Sequence, residues 1–553
     1  MVKKTKETNP IIRKNLSIGA EDAEMDDDFL QECFIETEDV NLLLDTTKPQ
    51  RIIIGRTGAG KTALLKHLKK HSDNVIQLSP ENLSFRYLAD SSILNFFEEA
   101  GVNLNIFYLL LWRHIFCTEL IQKKYNICNE QKMKQFINRF VASLSGDKGR
   151  ILALEYLQEW GEKFWITTQE RIVETTQKLE TDFEAHASGE IIKLLNLGAK
   201  GAQKLTEEQK YEAANIGKNV VNKIQVEKLT QVINILNSEI FNDPKERYYI
   251  LIDQLDENWA SEELKYKIIR ALIDTTKKFQ RVTNVKIIIA LREDLLLKVL
   301  SETRDSGYQE DKMESLFLRL HWLPEELENI LDKRVETLFK RQYDKKQVKA
   351  SDILPSGQRD KHDAVGYIID RSFLRPREVI SFFNCCLEHS AGQTHINYKT
   401  ISDAELAYSR KRIRALGDEW ANDFPLLENY VNLLHGLPSS FTFSTLMQLP
   451  YIEDILLDIA CYDSKRCEKD KICKITKPYL EGNKQKKRSI ILEIVCAFYQ
   501  VGLLGVKLDE TYPTEWSYNS TPLLQPTQIK DKTKLYIHPT FYRALGVNIK
   551  AAA

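Results

Sequence analysis

The stretch Arg51-Ile-Ile-Ile-Gly55-Arg-Thr-Gly58-Ala-Gly60-Lys61-Thr62-Ala63-Leu-Leu-Lys-His-Leu-Lys-Lys-His71 decides the fold. Its opening is a short β-branched run, which reads as a buried strand, and TALLKHLKKH that follows has helical spacing. Between them, residues 55–62 match G-x-x-x-x-G-K-[ST] in the strand, loop, helix setting that this motif needs. Glycines let such a loop wrap so that successive N–H groups point inward, and the positive end of the next helix adds to their field. The pattern predicts a triphosphate cradle made by Gly55, Arg56, Thr57, Gly58, Ala59, Gly60, Lys61, Thr62 and Ala63. Lys61 neutralises β and γ oxygens in this reading, and Thr62 gives its hydroxyl to Mg²⁺.

Three further segments deliver polar groups to the same edge. Tyr248-Tyr-Ile-Leu-Ile-Asp253-Gln-Leu-Asp256-Glu257 is an apolar strand with acids at its C-terminal end, the end that faces the ligand crevice of an open parallel sheet. Asp253 is the natural second-shell or water-mediated Mg²⁺ partner. Asp256 and Glu257 are both candidates for polarising the attacking water. Ile287-Ile-Ile-Ala-Leu-Arg292-Glu-Asp294 ends in a guanidinium suited to sensing a γ-phosphate, or equally to a structural ion pair with Glu293 or Asp294. In Phe373-Leu-Arg375-Pro-Arg377, a proline starts a helix between two arginines, either of which can contact phosphate or pair with an acid.

Around these motifs, 553 residues exceed one compact core and suggest about three or four domains. Apolar residues form 43% and charged residues 28%, which fits globular folding and excludes a chain that is disordered throughout. With 78 basic against 79 acidic residues the net charge is -1, so any contact with nucleic acid or membrane rests on a local patch. The most apolar candidate, residues 102–120, is interrupted by Asn103, Asn105, Arg113 and His114 and reads as a buried helix with Trp112 in its core. The nine scattered cysteines contain no C-x-x-C pair, which argues against a disulfide framework and for a reducing, cytoplasmic setting. Cys461, Cys467 and Cys473 lack the short spacing and fourth ligand that zinc favours.

The predicted organisation is α/β. Residues 1–45 are a tail and a lead-in helix (FLQECFIETEDVNLLL); 46–90 and 246–322 are the two parts of a parallel-sheet core. A helical insertion fills 91–245, with breaks at Ser145-Gly146-Asp147 and Gly198–Gly201. Residues 323–435 form a helical lid subdomain, 436–550 a winged-helix-like domain with short strands at VKL, EWSYN and LYIHP, and Ala551–Ala553 an expression-tag remnant. The basic run Lys484-Gln-Lys486-Lys487-Arg488 is a nucleic-acid candidate within that last domain.

Together, GRTGAGKT, ILIDQLDE, IIIALRED, FLRPREVISFFN and SRKRIRALGDEW resemble prokaryotic P-loop ATPases of the AAA+/STAND grouping, including lone ATPases of mobile-element and antiphage-defence loci. The resemblance covers roughly residues 15 to 545. It implies an ASCE-type P-loop NTPase sheet with Asp253 on Mg²⁺, a water-activating acid at Asp256 or Glu257, and Arg292 as sensor. It also implies Arg375 or Arg377 in a sensor-2-like lid. The family's adjacent Asp-Glu pair is replaced here by Asp253-Gln254-Leu255-Asp256-Glu257. Members often act as nucleotide-gated switches within oligomers or beside an effector. The expected activity is therefore Mg²⁺-dependent ATP hydrolysis controlling a homo-oligomer or effector protein, with no membrane partner; ATP is favoured because no N-K-x-D guanine motif is suitably placed. A nucleic-acid-acting ATPase and a nucleotide-holding scaffold with little turnover are the alternatives.

Overall fold

The computed structural model describes residues 11–80, 83, 88, 91–127, 130–142, 168–197, 199–223, 226–304, 311–343, 347–359, 362–461, 467–480, 482, 486–519 and 524–549. The Ser145-Gly146-Asp147 break, Gly198, Lys484, Gln485 and Ala551–Ala553 lie outside them. The chain forms two compact units: Glu36–Arg56 with Lys61–Leu320, and Met1–Ile35 with Thr57–Gly60 and His321–Ala553.

The first of these holds a five-stranded sheet of β1 (Ile52–Gly55), β2 (Val75–Leu78), β3 (Tyr248–Ile252), β4 (Val285–Arg292) and β5 (Phe317–Arg319), in the order β2-β3-β4-β1-β5. Every pairing is parallel. Strands β1 and β3 are buried along their whole length and β4 at all but its last residue. Both faces of these strands are therefore covered, which explains why they read as unbroken Ile/Leu/Val/Tyr runs. From β1 the chain passes to the edge strand β2, returns through β3 and β4, and crosses β1 to reach β5. The reversal beside β1 is the kind of switch point at which such sheets bind ligands.

The register fixes which side chains share that edge. Gly55 sits level with Arg292, and Ile52 and Ile252 both sit level with Ile289. Asp253, one residue beyond Ile252, therefore emerges at the same C-terminal edge. Helix α1 (Lys61–Lys70) follows the loop and buries Leu64, Leu65 and Leu68, the i, i+3/i+4 stripe of an amphipathic helix. Between β2 and β3 the described chain is helical, and includes α2 (Asn105–Tyr125). Trp112 of α2 is fully buried and donates its indole N–H to the Ile268 carbonyl of α3 (Glu262–Phe279) at 3.0 Å. The segment 102–120 thus lies largely in a core helix, and among the described residues no helix is long and apolar enough to cross a membrane. Helix α4 (Glu293–Glu302) directly follows β4.

The second unit has two apolar cores. One gathers α5 (Pro324–Tyr343), α6 (Pro376–His389), α7 (Tyr398–Glu419) and the N-terminal residues Ile12 and Ile18. The N-terminal segment is bound through Ile12 N–H to Gln393 O (2.7 Å) and a buried Arg334–Asp26 pair (2.6 Å). The other core joins helices after residue 427 to an antiparallel sheet of β6 (Ser440–Thr442), β8 (Lys534–Ile537) and β7 (Leu504–Lys507), in the order β6-β8-β7. Helix α8 (Lys487–Val501) ends at Gly502, whose φ of +85° suits glycine.

Three local expectations need correction. The lead-in helix is two short ones, Asp27–Cys33 and Glu38–Leu44, because Phe34 and Thr37 adopt extended backbone between them. EWSYN is not a strand: Glu515 bridges Val506 alone, and the sheet partner of β7 is β8. Against the expectation of cysteines without disulfides, Cys467 and Cys473 are joined as one, while Cys461 is exposed and free.

Candidate nucleotide site

At the C-terminal edge of the parallel sheet, Thr62 on the first turn of α1 donates its hydroxyl to Asp253 Oδ2 at 2.9 Å. Asp253 Oδ1 accepts the Gln254 N–H at 2.9 Å. Gln254 has φ of +63°, a left-handed conformation that costs a side-chain-bearing residue about 1–3 kcal/mol and persists only where surroundings enforce it. This turn aims the carboxylate back at α1. Burial raises the Asp253 pKa, against the lowering effects of the Gln254 N–H, the Thr62 hydroxyl and Lys61.

Lys61 folds back so that Nζ donates to Gly55 O at 2.8 Å and Arg56 O at 3.1 Å. Burial pushes its pKa down to about 8, while the nearby carboxylates of Asp256 and Asp253 act in the opposite direction. The ammonium is thus desolvated, with carbonyl oxygens as its direct partners. An anion arriving here would restore its ordinary basicity.

Arg292 holds Asp294 through both Nε (3.0 Å) and Nη2 (2.8 Å), and its Nη1 lies 3.5 Å from Asp256 Oδ2. Of the two readings of Arg292, this geometry is that of the ion pair with Asp294. Asp256 and Glu257 lie on the exposed turn after β3. Asp256 is placed beside Arg292. Ala63 is half-buried in the first turn of α1.

The loop residues Thr57–Gly60 group with the second unit. Gly58 and Gly60 have φ of +80° and +100°, which side-chain-bearing residues rarely adopt. A Cβ on Gly58 would also lie 2.9 Å from Arg377 Cβ. Arg375 is buried and donates from Nη1 to Thr57 O at 3.0 Å, with Glu419 at 3.7 Å. Burial lowers its pKa, opposed by Glu419 and then Glu378. Arg377 donates its backbone N–H to Gly58 O at 3.5 Å, its Nε to Glu21 O, and pairs with Asp22. Both arginines therefore reach the loop, one through its side chain and the other through its backbone. Phe373 and Leu374, just before them, have φ of +52° and +51°. The Phe373 ring stacks on His538 at 4.2 Å, which holds this strained turn in place.

Sequence reasoning missed Trp322, whose indole donates to Ala59 O at 2.8 Å, and the strained Gln254. A lone tryptophan after a strand carries no signal for such a contact. Gln254 occupies the position where an adjacent acid was expected, and that substitution was the available clue.

A cradle for phosphate needs backbone that only glycine adopts, a desolvated cation and polar atoms left for a ligand. Gly58, Gly60 and Lys61 meet the first two needs. The Thr57 hydroxyl is buried without a hydrogen-bond partner among the described residues, which meets the third. Within the sheet-bearing unit, the desolvated Lys61, the Thr62 hydroxyl and the Asp253 carboxylate fit a nucleotide phosphate with its divalent cation.

Residues 325–417 match a family described as the FunZ-associated C-terminal helical domain, a span running from α5 through most of α7 and containing Arg375 and Arg377. Over 564 aligned positions the chain is 23% identical to the putative transposon gamma-delta 80.3 kDa protein of Escherichia coli (strain K12), covering 98% of this chain and 69% of that relative.

Proposed function

We propose that this chain is a Mg²⁺-dependent ATP-binding and ATP-hydrolysing switch of the P-loop class that controls a partner protein. The observation that carries the reading is the Thr62–Asp253 hydrogen bond. It joins the first turn after a GxxxxGKT loop to the acid-bearing end of a parallel strand separated from β1 by β4.

In this reading the backbone of residues 55–62 binds the phosphates, and Lys61 turns from its carbonyl partners towards them. Thr62 and Asp253 hold Mg²⁺, which when bound offsets negative charge on phosphate oxygens. Asp256 orients water for attack, because it is exposed at the strand end and lies 3.5 Å from Arg292; Glu257 on the same turn is the other acid in reach. Arg292 leaves Asp294 to meet developing charge on the γ-phosphate. Arg375 and Arg377 report the state of the loop to the helices that follow them, since both already hold Thr57 and Gly58.

The name of the E. coli relative supports placing such a switch on a mobile element; a defence role rests on the sequence resemblance. We read residues 436–550 as winged-helix-like, and as a protein contact before a nucleic-acid one. Lys487 lies near Glu453, Arg488 pairs with Asp531, and Lys471 pairs with Glu493, so neighbouring acids offset much of the local positive charge. The test is phosphate release by purified protein with Mg²⁺ and ATP against Lys61→Ala, alone and with the products of adjacent genes. Turnover in the wild type that the variant loses supports the proposal; no difference in any condition overturns it.

A further inference from the structure

The far end of α1 carries a cluster that the nucleotide reading does not use. His67 and the residue just past the helix, His71, are four positions apart and share a face. Their rings stack with centroids 4.1 Å apart. Glu36, in the extended segment between the two lead-in helices, brings Oε1 to 3.7 Å from His67 Nε2. One ligand atom from each residue lies within 4.8 Å of the others. His71 Nδ1 is 2.9 Å from the His67 carbonyl oxygen. A carbonyl can only accept, so Nδ1 carries the proton and Nε2 keeps its lone pair. This is the backbone anchoring that commonly fixes the tautomer of a metal-binding histidine.

We propose that Glu36, His67 and His71 form a three-ligand site for a divalent cation of the zinc class. Two imidazoles and one carboxylate with an open fourth position are a donor set that zinc accepts. Mg²⁺ and Ca²⁺ prefer all-oxygen shells, so this site is chemically distinct from the nucleotide's own cation. His67 is largely covered, its side chain 11% exposed, whereas Glu36 is 71% exposed, leaving a path from solvent. A bound ion would tie the segment preceding β1 to the helix that follows the phosphate loop, all within the unit containing the parallel sheet. The inference stands independently of whether ATP binds.

The test uses the full chain, stripped with chelator and titrated with Zn²⁺ by calorimetry in excess Mg²⁺. The wild type binds one equivalent at this site. His71→Ala and Glu36→Gln alter exposed side chains and leave the metal-free melting temperature unchanged, yet each weakens that binding at least about 10-fold, the scale on which even outer-shell partners act. Zn²⁺ raises the melting temperature of the wild type and not of His71→Ala. Cobalt substituted at the site shows no thiolate charge-transfer band. Absent saturable binding, equal affinity in wild type and variants, or a thiolate band overturns the proposal; the last would move the ion to the cysteines, and the first two would leave Glu36–His67 as a simple ion pair.

Discussion

Thr62 and Asp253 are 191 positions apart in the chain and 2.9 Å apart in space. Asp253 is held there at an electrostatic cost, because burial raises its pKa. An acid whose folded pKa is raised stabilises the fold most below its unfolded pKa and loses that contribution as pH rises through the folded value. Above the raised pKa the cost of the charge is present in full. Asp253→Asn removes it while keeping one acceptor oxygen for the Gln254 N–H and an amide that can donate to the Thr62 hydroxyl, so the ligand-free melting temperature should be equal to or above wild type at pH 7. The gap should narrow as pH falls through the raised pKa. A variant clearly less stable than wild type at pH 7 would mean that the carboxylate is better paired than burial implies.

Lys61 offers a second pH test. Its pKa stands near 8, chiefly through burial, and phosphate charge beside Nζ should raise it. The bound state then holds more protons, so ATP affinity should fall as pH rises from about 8. Calorimetry at pH 8.5 in two buffers of different ionisation enthalpy should register proton uptake in the wild type and none in Lys61→Arg, whose guanidinium stays charged. Equal heats in both buffers would place Lys61 away from the anion.

Gln254→Gly tests stored strain. With φ of +63° at this position, glycine should raise stability by about 1 kcal/mol, seen as a shift of the denaturant midpoint at unchanged slope. A loss of stability would show that side-chain contacts outweigh the backbone cost.

Asp26 and Arg334 form a buried pair at 2.6 Å, with Arg334 Nη1 also donating to Ile18 O at 2.8 Å. Asp26→Ala leaves a buried guanidinium without its carboxylate and should cost about 3–5 kcal/mol in the denaturation of its unit. Replacing both residues by apolar ones should recover part of that. A loss below about 1 kcal/mol would indicate that water reaches the pair.

The strands that position the site were legible because their burial on both faces wrote unbroken apolar runs into the sequence. β1, β3 and β4 follow IIIG, YYILI and VKIIIALR directly. Asp253 was legible for the same reason, as the first acid after such a run. Residues whose role depends on tertiary partners were not. Arg292 reads alike as sensor or ion pair until Asp294 is seen to take two of its three nitrogens. The break at Phe34–Thr37 was hidden by helical spacing on either side, and the Cys467–Cys473 bond by a spacing that fits no common motif. EWSYN has strand-forming residues, but β7 finds its partner in β8.

The most direct test is a double-mutant cycle on Mg²⁺-ATP affinity with Thr62→Ala, Asp253→Asn and both together. If the two residues hold one cation, each substitution weakens binding in Mg²⁺ and the double variant loses little more than either alone. The coupling should be about 1 kcal/mol or larger and vanish when Mg²⁺ is withheld. Affinities unchanged by either substitution, or losses that simply add, would contradict the account.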